Sequence, residues 1–99
     1  MLLIIGTIRV PPARLTEVRA AMAAMIAASC AEQGCLDYHY AEDVLTPGLI
    51  HVNELWTDRA ALDAHFASAH LAEWRSVWPA LGISDRNLVV YEVGEARPI

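Results

Sequence analysis

Several things are scarce in this sequence, and each shortage narrows the reading. Of 99 residues only two are cysteine, Cys30 and Cys35, and they lack the Cys-x-x-Cys spacing of redox or metal motifs. They flank a helix-like end, so a disulfide is geometrically open. Nothing else points to an oxidising compartment, and free thiols are expected. Basic charge is also short. Seven Lys plus Arg stand against twelve Asp plus Glu, a net charge of -5, which leaves no footprint for a nucleic-acid partner. There is no glycine-rich phosphate loop and no His-x-x-x-His pair. His65 and His70 form a poor helical chelate, so no metal is expected. The first apolar run, Met1 to Gly6, has no basic flank and is too short for a membrane span or a signal core. A soluble, cytoplasmic protein without a membrane partner is expected.

What is abundant is apolar surface. Hydrophobic residues make up 56% of the chain and charged residues only 19%, which argues against disorder and suggests more apolar surface than a small monomer can hide. The length suits one domain, residues 1–99.

Leu2 to Val10 reads as a strand apolar on both sides, ended by Pro11-Pro12. Leu15, Val18, Met22, Met25, Ile26 and Ser29 follow at steps of three and four, the stripe of an amphipathic helix that Gly34 stops. Leu36, Tyr38 and Tyr40 then share one face of a weakly alternating strand to Asp43. Thr46-Pro47-Gly48 turns the chain into a second strand, Leu49 to Thr57, and the short connection predicts an antiparallel hairpin. Thr57 or Asp58 can cap a helix. A break at Ser68 or Ala69 is expected, with a second piece from His70 to Leu81. Asn87 to Val93 closes the pattern as a strand apolar on both sides.

The order β-α-β-β-α-β is the ferredoxin-like arrangement, an α+β fold with an antiparallel sheet and helices on one face. The first and last strands want both faces covered. A homodimer with its sheets packed face to face is therefore expected.

Three segments carry a family resemblance: Glu32-Gln33-Gly34-Cys35-Leu36-Asp37-Tyr38, Glu54-Leu55-Trp56-Thr57-Asp58 and Ala61-Leu62-Asp63-Ala64-His65, with His70 just beyond. Together and in order they resemble the antibiotic biosynthesis monooxygenase domain family. The resemblance implies a dimeric α/β barrel with a pocket between sheet and helices. It implies oxidation of a small aromatic, such as a quinol, anthrone or phenol, by dioxygen without metal, flavin or other cofactor. It also leaves open a non-catalytic small-molecule-binding module, or a haem-degrading or isomerase relative. The haem reading is disfavoured, because Gly6-Thr7 stands where an asparagine is wanted and Trp74 or Arg75 where the haem ligand falls.

The substrate would then need orienting and deprotonating. His65 reads as the base, because imidazole titrates nearest neutrality, or else as a histidine packed between helix and sheet. His70 joins it only if the helix breaks between them. Trp56 reads as a stacking platform or as core. Glu54 lies on the same strand face and reads as structural, paired with Arg9 or Arg75. Asn53, pointing the opposite way, Tyr38, Tyr40, Phe66, Trp74 and Tyr91 complete the candidate substrate-binding set.

Overall fold

The computed structural model describes residues 1–99. Its strands are β1 (Leu2–Arg9), β2 (Cys35–Glu42), β3 (Leu49–Trp56) and β4 (Ser84–Glu92). Its helices are α1 (Leu15–Cys30), α2 (Arg59–Phe66), α3 (Ala69–Ser76) and the short α4 (Trp78–Leu81), with a 3-10 turn at Pro12–Arg14. The sheet order is β2-β3-β1-β4, and every pairing is antiparallel. This is the ferredoxin-like α+β fold expected from the pattern. No helix is long and apolar enough to cross a membrane.

Strand alternation decides what the helices cover. Along β3 every second residue is buried, namely Ile50, Val52, Glu54 and Trp56. Register places Ile4 of β1 and Tyr38 of β2 beside Glu54, so one row of side chains runs across the sheet beneath the helices. Val18, Met22, Met25 and Ser29 of α1, Leu62 of α2, and Leu71 and Trp74 of α3 press onto that face. Each fully buried aliphatic or aromatic side chain contributes roughly 1.5–3 kcal/mol of transfer free energy.

The helix that follows β3 is broken, and the break shapes the site. Asp58 caps α2 by accepting the Ala61 N–H at 2.9 Å. Ser68 does two jobs. Its hydroxyl donates to the His65 carbonyl at 2.6 Å, closing α2, and its oxygen accepts the Leu71 N–H at 3.4 Å, opening α3. The expected His70-to-Leu81 piece is itself divided at Val77. Pro79 cannot donate into the ladder and sits instead in the first turn of a new helix.

Other departures have local causes. β4 starts at Ser84 rather than Asn87, and its register with β1 shifts between Thr7 and Arg9. Nearby, a Cβ at Gly6 would overlap the Asn87 carbonyl of β4, so that close crossing requires glycine. A second shift between Cys35 and Asp37 turns Leu36 to solvent, away from the row it was expected to join. The first and last strands, β1 and β4, are not covered on both faces within one chain. Ile5 is 39% exposed and β4 contains no buried residue. Both cysteines are free thiols, and burial pushes Cys35 up to about 11.

Candidate functional site

A cavity of about 210 Å³ lies between the sheet and the pair α2–α3, reaching β4 where no helix covers the sheet. Tyr38, Tyr40, Phe66, Trp74 and Trp78 line it. Three ionisable groups line it from buried positions, Tyr38 of β2, Glu54 of β3 and His65 of α2.

His65 is 1% exposed. Its Nδ1 lies 2.6 Å from Oε2 of Glu32, in the turn that follows α1. A carboxylate only accepts, so the imidazole proton sits on Nδ1 and donates to Glu32. The other nitrogen, Nε2, then carries a lone pair and lies 3.9 Å from Oε1 of Glu54. Burial lowers the His65 pKa, and the Glu32 hydrogen bond and charge oppose that only in part. The ring is packed against Trp56 at a centroid distance of 4.6 Å and against Tyr38 at 5.5 Å.

Glu54 is 4% exposed and accepts the indole N–H of Trp56 at 3.0 Å. Burial raises its pKa more than that hydrogen bond and the nearby arginine charges lower it. The expected ion pair with Arg9 or Arg75 is not formed. Arg75 and Arg86 line the same cavity and act on Glu54 through their fields, not through contact. A buried carboxylate without an arginine ion pair stays protonated more readily, and Glu54 lines the cavity while bracing the Trp56 indole. Burial also pushes the Tyr40 hydroxyl up to about 12 and the Tyr38 hydroxyl further up.

The remaining predicted residues divide sharply. Trp56 is fully buried and lies behind His65, off the cavity surface, where it orients Glu54 instead of offering a stacking face. Asn53 alternates onto the opposite side of β3, next to Ile5, and does not line the cavity. Tyr91 pairs with Leu3 on that same open face and is 54% exposed. His70 is brought near His65, with ring centroids 6.0 Å apart, yet it lines a separate cavity between α1 and α3. Its Nε2 lies 3.3 Å from Oε2 of Glu32, without hydrogen-bond geometry.

Glu32 is the residue that sequence reasoning passed over. It belonged to the first quoted segment but carried no assigned role. Its partner lies 33 positions away, so no local periodicity could join them. The available signal was an acidic residue just past a helix end, facing the segment that carries His65.

The chain is a ferredoxin-like α+β domain with an aromatic-walled cavity beneath its helices. The chain belongs to the antibiotic biosynthesis monooxygenase family, whose profile matches residues 1–77. It is similar to a crystal structure of a Deinococcus radiodurans protein provisionally described as an antibiotic biosynthesis monooxygenase, with 27% identity, a TM-score of 0.91 and coverage of 100% of this chain and 98% of that one. A Pseudomonas aeruginosa protein of solved structure shares 28% identity with a TM-score of 0.77, over 97% of this chain and 94% of its own. An uncharacterized protein of Synechocystis is 29% identical over 98 residues, 99% of this chain and 67% of the relative.

Proposed function

We propose that the chain is a cofactor-independent monooxygenase that oxidises a small phenolic or quinol-type aromatic with dioxygen. One observation carries this reading. A buried imidazole is held through Nδ1 by Glu32 and presents its free Nε2 to an aromatic-walled cavity. An imidazole fixed in one tautomer by a carboxylate is a positioned general base.

In this reading the substrate hydroxyl gives its proton to Nε2 of His65. Arg75 and Arg86 favour the phenolate that forms. The electron-rich ring then passes an electron to dioxygen, and the two radicals join as a carbon–oxygen bond. The resulting hydroperoxide loses water to leave a carbonyl. The substrate gains one oxygen and loses two hydrogens, and the second oxygen leaves with those hydrogens as water. The cavity of about 210 Å³ falls below the ~300–1,000 Å³ of drug-sized sites, which supports a substrate of one or two rings.

The test is oxygen uptake with a panel of hydroquinones, naphthols and anthrones, in the presence of a chelator. The expected result is uptake with the smaller compounds and a product that has gained one oxygen and lost two hydrogens. Binding of the same compounds by tryptophan quenching with no uptake would instead establish a non-catalytic binding module.

We infer also that the active species is a homodimer with its sheets packed face to face. Ile5 and Val89 are register partners on the face away from the helices, with Leu3 and Tyr91 one step along. Ile5, Val89 and Tyr91 are 39%, 48% and 54% exposed, an apolar stripe that a second copy would cover. Sedimentation equilibrium at micromolar concentration tests this, and a monomer there would remove it.

A further inference from the structure

The feature that the oxygenase reading leaves unexplained is His70. Its Nε2 is buried and has no hydrogen-bond partner. Glu32 Oε2 stands 3.3 Å from that nitrogen and 2.6 Å from Nδ1 of His65. One potential ligand atom from each of Glu32, His65 and His70 lies within 4.8 Å of the other two. Two nitrogens and a carboxylate oxygen are thus gathered at the join of the turn after α1 with α2 and α3.

We propose that Glu32, His65 and His70 form a site for a divalent first-row transition metal, of the zinc, cobalt or nickel kind. The donor set is the reason. Imidazole with carboxylate suits these ions, and three protein ligands leave a position open. The spacing fits as well. Two ligands each about 2.1 Å from a tetrahedral ion stand roughly 3.4 Å apart. The His70–Glu32 separation of 3.3 Å already matches that edge, the His65–Glu32 separation of 2.6 Å would have to open by roughly 0.8 Å, and the two histidine nitrogens, within 4.8 Å of each other, would adjust by rotation of the His70 ring. The Nδ1 proton of His65 would have to leave that edge, because the carboxylate has none to lose, and a neutral ring holds it instead on Nε2.

There is also a way in. His70 lines a cavity of about 150 Å³ between α1 and α3, on the far side of the site from the aromatic cavity. The His70 and Glu32 side chains are 26% and 17% exposed while Nε2 of His70 is itself buried, so the His70 ring must shift to admit an ion from that side. The other histidines do not compete on equal terms. His39 and His51 are each paired with a single exposed or half-exposed aspartate, which gives a two-ligand set at best.

An occupied site would alter the aromatic cavity. With the ion on Nδ1, the single proton of the neutral ring moves to Nε2 and is donated toward the cavity, so the ring can no longer accept a proton there. The ion would thus inhibit oxygenation. That consequence rests on the oxygenase reading, and the binding itself does not.

Calorimetric titration of the purified chain with Zn²⁺, and visible absorption with Co²⁺, test the site directly. The expected result is one ion per chain, the ligand-field bands of a low-coordinate cobalt site, and a higher melting temperature with Zn²⁺. His70→Ala and Glu32→Gln should each weaken binding by more than roughly tenfold, the lower bound for losing even a group that supports a ligand. A double variant, His39→Ala with His51→Ala, should bind as the parent does. Retained binding in both single variants, loss only in the double variant, or no binding at millimolar Zn²⁺ would each overturn the proposal. Far-UV circular dichroism identifies any variant that has failed to fold, and His70→Asn then replaces His70→Ala as the test. Inhibition of oxygen uptake by Zn²⁺ is read separately, so a chain that binds zinc but never consumes oxygen overturns the function and leaves the site standing.

Discussion

His65 and Glu32 are joined at 2.6 Å across 33 positions of sequence, and that contact fixes which nitrogen of the ring faces the cavity. Glu32→Ala removes the acceptor and leaves a buried N–H unsatisfied. The expected loss is about 1–3 kcal/mol of stability by denaturant titration, together with a fall in oxygen uptake. Glu32→Gln keeps an acceptor oxygen and should recover most of the stability. Equal stability of Glu32→Ala and the parent would show that the contact does not hold the ring.

His65→Gln keeps a polar side chain in the same space and deletes the base. The turnover rate should fall by roughly 10²–10⁴-fold, with the substrate affinity measured by tryptophan quenching little changed. An unaltered rate in a folded variant would take the base away from His65.

The pH dependence of stability should carry the signature of Glu54. Burial raises its folded pKa above the unfolded value, so the folded state holds the proton more tightly. Its contribution is full below the unfolded carboxylate pKa and is lost as pH rises through the folded value. His65 is lowered by burial, so its contribution acts in the opposite sense and is lost as pH falls below the usual imidazole range. Glu54→Gln should flatten the first limb of a stability–pH curve and leave the second in place. An unchanged first limb would show that Glu54 titrates normally.

Ser68→Ala removes the cap of α3 and the hydroxyl that closes α2. A loss of about 0.5–2 kcal/mol is expected by thermal or denaturant unfolding. Because the joint also sets how His65 and His70 meet, the variant should lose zinc affinity beyond what its small stability change explains.

Tyr91→Arg places a charge on the open sheet face, with no change to the aromatic cavity. A monomer in sedimentation with an unaltered far-UV spectrum is expected. A dimer that survives the substitution would move the interface elsewhere.

The parts of this molecule legible in the sequence are those governed by short-range rules. Steps of three and four placed the stripe Val18, Met22, Met25 and Ser29, and alternation put Trp56 and Glu54 on one face of β3. Turn and cap residues marked the ends, as Asp58 and Ser68 show. The site was less legible because its contacts depend on register and on chain separation. Alternation correctly opposed Asn53 to Glu54, but it did not say which face the helices would cover. The register shift beside Cys35 moved Leu36 out of the row by one residue. The arginine expected against Glu54 was chosen by charge alone, and the fold supplies an indole N–H from two residues along the same strand instead.

On an unbroken helix His65 and His70 would stand about 140° apart around the axis. The two-residue joint at Ala67 and Ser68 cancels that angle and turns both rings toward one carboxylate. The relation between the histidines is thus stored in the length of the joint as well as in the Ser68 hydroxyl that shapes it. Inserting or deleting one residue at the joint would leave every side chain of the site present and uncouple the two cavities that Glu32 now links.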